Sequence, residues 1–181
     1  MVVTDDPDLA ERCRHLRGQG VSPTRTYWHD VIGYNYRMTN LAAAIGVAQL
    51  AKIGDVIERK RRIADWYREE LTAIAGLSML GEEPWARSVY WMCSVVVDPE
   101  RRDPLMATLR DAGIETRPFF HPAHTLPMYR EHRRFPAAER LGAGGINLPS
   151  FPALTRDEVR TIGMAIRSFL HQRGAVKGGS V

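Results

Sequence analysis

Two hydrogen-bond donors, Asn35 and Arg37, stand just before a predicted helix. Arginine can bind an anionic group through two parallel hydrogen bonds, and an asparagine amide can add another. Thr39 is a good N-cap, and apolar residues recur at helical spacing after it, so the helix begins directly behind the pair. Because helix N-termini attract anions, this arrangement favours a phosphate or a carboxylate ligand. The alternative is structural, with Asn35 capping a turn and Arg37 in a local ion pair.

A second candidate site is the stretch over residues 117–129, which combines prolines, histidines and aromatic residues. Prolines stiffen this stretch, which we call the wall, and its mixture of polar and apolar side chains suits a sugar ring with attached phosphates. Arg117 can bind a diphosphate, and His124 can hydrogen-bond sugar hydroxyls. Phe119 and His121 are the other expected substrate-binding residues here. The alternative is a stiff surface loop whose histidines bind nothing.

Trp28, His29 and Asp30 form a third candidate. An adjacent histidine and aspartate suggest an acid-base pair, but consecutive side chains usually point apart, so His29 is not expected to be a general base. We expect Trp28 and His29 to line a substrate pocket or a subunit interface, and Tyr36 and Arg37 to be further substrate-binding residues.

The N-terminal part of the chain is predicted to hold two helices around a long loop. A strand over residues 1–4 leads to a helix with an acidic cap at residues 5–8 and a glycine turn at residues 18–20. Residues 21–34 are predicted to be an extended loop, and loops of this length are usually functional. The helix after Thr39 is rich in alanine, so another backbone can approach closely. We expect it to be buried against a neighbour or a second subunit.

The C-terminal part is predicted to be a small α/β lobe behind a long amphipathic helix. Apolar residues keep a helical period over residues 53–74, and the lobe boundary is expected near residue 70. The predicted domains are therefore residues 1–70, residues 71–172 and a frayed, glycine-rich tail over 173–181. The lobe is predicted to contain a central strand over 88–97, shorter strands over 114–117 and 146–148, a helix capped by Asp103, and a closing helix with a capping box at Thr155.

Composition limits the possible function classes. The chain has 181 residues with 25 basic and 21 acidic side chains, and a net charge of +4 is too mild to predict a nucleic-acid partner. Cys13 and Cys93 lie in no CxxC pair or histidine cluster, so neither a metal site nor a disulfide framework is expected. No apolar run reaches membrane length and no signal peptide is recognised, so we expect a cytoplasmic protein without a membrane partner.

Residues 33–40, followed by Ala43, Ala44, Ile45 and Gly46, resemble the signature of the fold-type I, pyridoxal-phosphate-dependent sugar-nucleotide aminotransferases. Residues 28–30, 115–118 and 144–150 strengthen the likeness, which extends to about residue 170. The resemblance implies an α/β fold that comprises the end of the large domain and the whole small domain. It implies pyridoxal 5'-phosphate as cofactor, and transfer of an amino group from L-glutamate to a 4-keto-6-deoxy sugar nucleotide, with the GDP-linked mannose derivative expected, for surface polysaccharide such as O-antigen. It also implies a homodimer or higher oligomer, in which Asn35 reaches the cofactor phosphate of the other subunit.

The resemblance further implies that the catalytic lysine is absent from this chain. In such enzymes that lysine precedes a glycine-rich turn, and the turn leads into a strand similar to residues 1–4. The lysines here are Lys52, Lys60 and Lys177, and none lies in that context. We therefore expect the C-terminal half of an aminotransferase, inactive alone and without a catalytic residue of its own.

Three alternatives stay open at the level of the sequence. His121 stands where the resemblance implies tyrosine, so one alternative is a different sugar nucleotide as substrate. A second is a parent enzyme of the kind in which histidine replaces the lysine and the reaction is a dehydration. The third is a non-catalytic remnant that pairs with a complete subunit.

Overall fold

The computed structural model describes residues 2–172, and contacts divide the chain into an N-terminal unit, Met1–Lys52, and a C-terminal unit, Ile53–Val181. The predicted tail over 173–181 lies outside the described residues. The predicted boundary near residue 70 concerns the lobes of a complete enzyme and stays a prediction. The elements are, in chain order, α1 (Pro7–Arg17), α2 (Asn40–Leu50), α3 (Ile53–Leu71), β1 (Leu77–Met79), β2 (Cys93–Val97), α4 (Pro99–Asp111), β3 (Arg117–Pro118), α5 (Pro136–Gly144), β4 (Gly145–Leu148) and α6 (Arg156–Gln172).

Helix α1 begins and ends at the predicted signals. The Asp6 carboxylate accepts hydrogen bonds from two backbone N–H groups of the first turn, and a proline occupies the first turn. The chain reverses at Gly20, which has a φ of 65°; a Cβ there would lie 2.2 Å from the Val31 carbonyl oxygen, so only glycine fits. The strand predicted over residues 1–4 is wrong, because residues 2–4 pair with no other strand among the described residues and Val3 is 84% exposed.

Helix α2 is capped as predicted, since the Ala42 backbone N–H donates to the Thr39 hydroxyl at 3.2 Å. None of its residues is buried within this chain, although the helix is almost entirely apolar. Its larger side chains are 65–80% exposed, namely Leu41, Ile45, Val47 and Leu50. Burial of α2 against a second subunit therefore stays a prediction.

The C-terminal unit is built on an antiparallel sheet with the strand order β1-β2-β4-β3. Strand β2 is central, as predicted, but it begins at Cys93 rather than at residue 88. The backbone of Ser88 bonds to side chains instead of a strand, because Arg61 donates to its carbonyl and Glu82 accepts from its N–H. Strand β3 is also shorter than predicted, since the Ile114 N–H donates to a carbonyl of α4 and ends that helix.

Helices α3, α4 and α6 pack together with the sheet around one hydrophobic core. Helix α4 begins at Pro99 with Asp98 as its cap, so the predicted cap at Asp103 is wrong: an earlier Asp-Pro pair starts the helix, and Pro104 lies within it. The capping box of α6 is confirmed, with reciprocal hydrogen bonds between Thr155 and Glu158. The core side chains come from all these elements and include Ile63, Tyr67, Leu71, Cys93, Val95, Leu105, Leu109, Ile146, Val159, Ile162 and Ile166.

Two polar side chains tie α3 to the segments that flank β2 and β4. The fully buried Tyr67 donates from its hydroxyl to the Pro149 carbonyl at 2.8 Å. The ammonium of Lys60 donates to the Trp91 carbonyl at 2.8 Å, and to the carbonyl and the hydroxyl of Ser150 at 2.5 and 2.9 Å. These contacts fix the polypeptide just before β2 and just after β4.

Within residues 2–172, no single helix is long and apolar enough to cross a membrane. The pair Asn40–Leu50 and Ile53–Leu71 passes that test when taken together, by length and composition only.

Candidate active-site residues

The segment that carries Asn35 is held against the end of α1 by backbone hydrogen bonds. The N–H of Gln19 donates to the Tyr34 carbonyl at 3.1 Å, and the N–H of Tyr36 donates to the Arg17 carbonyl at 3.1 Å. The rings of Tyr34 and Tyr36 stack in parallel with their centroids 5.2 Å apart. Because side chains alternate along an extended backbone, the tyrosines share one side of the segment and Asn35 faces the other.

The same alternation places Arg37 on the side of Asn35, just ahead of α2. Both side chains are exposed, and neither makes a hydrogen bond or an ion pair with any described residue. The structural alternative for them, a capped turn and a local ion pair, therefore has no support in the described structure. An amide and a guanidinium with free donors ahead of a helix fit the phosphate of pyridoxal phosphate by their chemistry.

Trp28 and His29 lie on the loop that follows α1. The guanidinium of Arg25 stacks over the Trp28 ring at 4.0 Å from its centroid. His29 Nδ1 donates to the Gln19 carbonyl at 2.9 Å, so Nε2 is the acceptor of the neutral ring. No hydrogen bond joins the side chains of His29 and Asp30 in the described structure. The arrangement presents an aromatic face and an imidazole nitrogen, without an acid-base pair.

In the C-terminal unit, the wall begins at β3 on the edge of the sheet. Arg117 is exposed and pairs with Glu115 at 3.3 Å, a contact too open to water to hold its guanidinium strongly. Phe119 packs its ring on Gly145, where a Cβ would lie 2.3 Å from the ring, and its N–H donates to the Gly145 carbonyl. His121 is exposed, and its side chain bonds to no other residue among residues 2–172. Arg117 and His121 are thus free to contact a ligand, whereas much of the Phe119 ring is used in packing.

His124 is largely enclosed, with 11% of its side chain exposed. Its Nε2 lies 3.3 Å from Glu139 Oε1, and its ring packs on Phe135 with the centroids 4.8 Å apart. Arg134 binds the Glu139 carboxylate through Nε and a terminal nitrogen, and the Phe135 N–H donates to it at 2.9 Å. Hydrogen bonds from Arg134 and from the backbone of Phe135 lower the pKa of Glu139 to about 2.

Sequence reasoning missed Glu139, which organises the end of the wall. Its only local signal is a glutamate in the first turn of a helix that begins at Pro136, and helix α5 was not predicted. The contacts with His124 span 15 positions of the sequence, so no helical or strand period indicates them.

Two cavities of the C-terminal unit adjoin the wall. One has a volume of about 780 Å³ and is lined by residues that include Arg117, Trp91, Phe151 and Asp157. Lys60 and Tyr67 donate hydrogen bonds to backbone carbonyls of residues in this lining. The other, of about 750 Å³, is lined by His124, Thr125, residues 130–134 and Glu139. Volumes of this order are typical of small-molecule sites.

The predicted residues are thus divided between the two units. Trp28, His29, Asn35, Tyr36 and Arg37 belong to the N-terminal unit, and Arg117, Phe119, His121 and His124 to the C-terminal unit. Within residues 2–172, no cluster of three histidine, cysteine or acidic side chains could hold a metal ion. Of the lysines, Lys60 is engaged by three hydrogen bonds and Lys52 is exposed at the end of the N-terminal unit.

Solved structures with the same fold include aminotransferases. The aminotransferase TlmJ from Streptoalloteichus hindustanus is 29% identical with a TM-score of 0.85, and the alignment covers 94% of this chain and 47% of that one. DesV from S. venezuelae, solved in complex with a ketimine intermediate, is 30% identical with a TM-score of 0.81 over 93% of this chain and 46% of that one. The fold is therefore that of the C-terminal portion of a fold-type I aminotransferase, as predicted.

The chain belongs to the DegT/DnrJ/EryC1/StrS aminotransferase family, whose model matches residues 1–167. A relative from Bacillus subtilis, 31% identical, bears the name of a pyridoxal phosphate-dependent aminotransferase, which agrees with the predicted family and its cofactor. GDP-perosamine synthase from Escherichia coli O157:H7 is 48% identical over 171 residues, which are 93% of this chain and 46% of that protein. The enzyme of the same name from Vibrio cholerae is 45% identical, over 94% of this chain and 48% of that protein. The chain thus spans about half the length of the curated relatives it matches.

Proposed function

We propose that the chain is the C-terminal part of an aminotransferase that converts GDP-4-keto-6-deoxymannose into GDP-perosamine with L-glutamate as amino donor. The observation that carries this proposal is the 48% identity with GDP-perosamine synthase of E. coli O157:H7 over 93% of the chain. A UDP-N-acetyl-3-dehydro-α-D-glucosamine 3-aminotransferase is 32% identical, so relatives with a GDP-linked product stand nearer. The product would enter a surface polysaccharide such as O-antigen, and the enzyme would act in the cytoplasm.

In this proposal Asn35 anchors the cofactor phosphate of the other subunit of a homodimer, and Arg37 lies beside it facing an anionic group. Their donors are unpaired in the described structure and lie ahead of α2, which supports such a role. When bound, pyridoxal phosphate supplies the aldehyde through which an amino group passes from donor to acceptor. The lysine that holds it lies, in our proposal, in the half of the relatives that this chain does not span. The isolated chain would then be inactive.

The C-terminal unit would contribute several contacts to the substrate. Arg117 would bind the diphosphate, because its guanidinium is exposed and only weakly paired. Phe119, His121 and His124 would bound the sugar. In the N-terminal unit, Trp28, His29 and Tyr36 would be further substrate-binding residues, with the exposed rings of Trp28 and Tyr36 offering stacking surfaces.

The test is a chimera in which the N-terminal half of the E. coli relative precedes this chain. We expect it to form GDP-perosamine, detected by mass, and to use UDP-N-acetyl-3-dehydroglucosamine at least about tenfold less well, since a mismatched nucleotide forfeits specific hydrogen bonds. The ratio of the two rates does not depend on how much chimera folds. A preference for the UDP-linked substrate would contradict the assignment.

Asn35→Ala in the same chimera should weaken pyridoxal phosphate retention about tenfold, because one charge-assisted hydrogen bond to the phosphate is lost. Asn40→Ala, at an exposed asparagine at the start of α2, is the matched control and should retain the cofactor. Equal retention by both variants would remove the phosphate role from Asn35.

A non-catalytic remnant that pairs with a complete subunit is the second candidate. The exposed apolar surface of α2 favours association with another chain. Co-expression with the tagged E. coli relative should then yield a mixed dimer, and recovery of the tagged relative alone would exclude this candidate.

A further inference from the structure

Glu139 contacts three neighbouring residues, Arg134, Phe135 and His124. Its carboxylate accepts from Arg134 and from the N–H of Phe135 at 2.9 Å, and its Oε1 lies 3.3 Å from His124 Nε2. Phe135 in turn packs on the ring of His124. The carboxylate therefore sets both the position of the imidazole and the surface on which it rests.

The same contact determines which imidazole nitrogen carries the proton. Because its pKa is lowered to about 2, the Glu139 carboxylate is ionised at every pH at which the protein is handled, and an ionised carboxylate only accepts hydrogen bonds. His124 Nε2 faces this carboxylate, so it must be the N–H of the ring. In the neutral ring Nδ1 then holds a lone pair and can only accept.

His124 Nδ1 makes no hydrogen bond with any described residue. In residues 2–172 the buried side-chain nitrogens without a partner are His15 Nε2 and Arg101 Nε, so the unpartnered Nδ1 of His124 is in contact with solvent. His124 also lines the cavity of about 750 Å³. A ligand in that cavity would meet an imidazole acceptor whose orientation is already fixed, and a group that suits it must donate a hydrogen bond.

We propose that Glu139 is a positioning residue that fixes His124 as the Nε2–H tautomer and so presents Nδ1 as an acceptor to a hydroxyl of the sugar ligand. The fixed tautomer follows from the contacts of this chain alone. The identity of the donor as a sugar hydroxyl rests on the proposed function. Pre-orientation of the ring matters because a ligand then need not immobilise it on binding.

The tautomer is tested by long-range proton–nitrogen NMR of the nitrogen-15-labelled 181-residue chain at about pH 8, where an ordinary histidine is neutral. His124→Gln assigns the signals. We expect the Nε2–H pattern in the unaltered chain and in Glu139→Gln, whose amide oxygen still accepts, and a mixture of tautomers in Glu139→Ala. Glu131→Ala, on the same loop, should leave the pattern unchanged.

Arg134→Ala separates positioning by the carboxylate from general disturbance of the loop. It removes the arginine but keeps Glu139, so the Nε2–H pattern should persist. An unaltered tautomer pattern in a folded Glu139→Ala, or an Nδ1–H pattern in the unaltered chain, would overturn the proposal.

The acceptor role is tested with GDP-mannose as a hydroxylated probe and GDP as its sugar-free control. We expect GDP-mannose to move the Nδ1 resonance, and Glu139→Ala to weaken its binding about tenfold without changing the affinity for GDP. If the tautomer is fixed but bound GDP-mannose does not shift the Nδ1 resonance, the acceptor role is overturned while the proposed function stands. Failure of both nucleotides to bind, with the tautomer fixed, would count against the proposed function as well.

Discussion

Replacing Lys60 with methionine should destabilise the C-terminal unit by about 2 kcal/mol. Methionine keeps the apolar stem of the side chain and removes the ammonium, which makes three hydrogen bonds of 2.5 to 2.9 Å to Trp91 and Ser150. A hydrogen bond from a charged group contributes about 1.5–3 kcal/mol. Burial, however, lowers the pKa of Lys60, so desolvation opposes part of that gain. We therefore expect a net loss well below the sum of three separate bonds.

The assay is urea unfolding followed by circular dichroism. With a slope typical of a protein of this size, a loss of about 2 kcal/mol lowers the midpoint by about 1 M. Lys52→Met is the matched control, since Lys52 is exposed and its side chain bonds to no other residue within 2–172. It should change stability by less than about 0.5 kcal/mol. If the Lys60 and Lys52 variants unfold at the same urea concentration, the three hydrogen bonds contribute nothing net and our reasoning is refuted.

Three further outcomes follow from contacts of the C-terminal unit. Tyr67→Phe should cost about 1–2 kcal/mol because it leaves a carbonyl unpaired, whereas Tyr129→Phe, on an exposed ring, should be neutral in the same urea assay. Gly145→Ala should cost more than about 2 kcal/mol, since its Cβ would overlap an aromatic ring, whereas Gly46→Ala in open space should stabilise by about 0.5–1 kcal/mol. Hydrogen bonds, the largest from Arg61, lower the pKa of Glu82 from 4.5 to about 2. The ionised carboxylate therefore stabilises the fold above pH 4.5, and this contribution is lost as the pH falls towards 2. Urea midpoints across that range should therefore fall less steeply for Glu82→Gln, and parallel curves would contradict the assignment.

Helix starts could be predicted from the sequence because their signals are local. Asp6, Thr39 and Thr155 each cap a helix by accepting a hydrogen bond from a backbone N–H two or three residues away. The sequence indicates such caps by the residue type alone. The start of α4 was misplaced because two Asp-Pro pairs lie five residues apart and both satisfy the same local rule. Tertiary packing decides which pair starts the helix, and the local sequence pattern carries no information about packing.

Strand lengths could not be predicted because they depend on distant partners. Residues 88–92 have a strand-like pattern, yet the carbonyl and the N–H of Ser88 bond to the side chains of Arg61 and Glu82. These groups are therefore not paired with a neighbouring strand. Strand β1 has three residues and α5 is rich in alanine and glycine, so neither shows a clear period. These elements follow from tertiary contacts.

The candidate site was predictable as residue types but only partly as geometry. Asn35 and Arg37 could be found from the sequence because a short motif fixes their place ahead of a helix. The partner of His124 could not, because Glu139 lies on a different element and its contact with the ring arises only when α5 folds back on the wall. The roles of all these residues towards cofactor and substrate stay predictions.

The sheet of the C-terminal unit ends in a strand that cannot easily be extended. Strand β3 has two residues, and one of them, Pro118, has no backbone N–H. The carbonyl of Pro118 already accepts from the Asn147 side chain at 3.4 Å. A neighbouring molecule would thus find at most one backbone donor along this strand. Lateral strand addition, the step by which fibrils grow, is therefore disfavoured at this edge of the sheet.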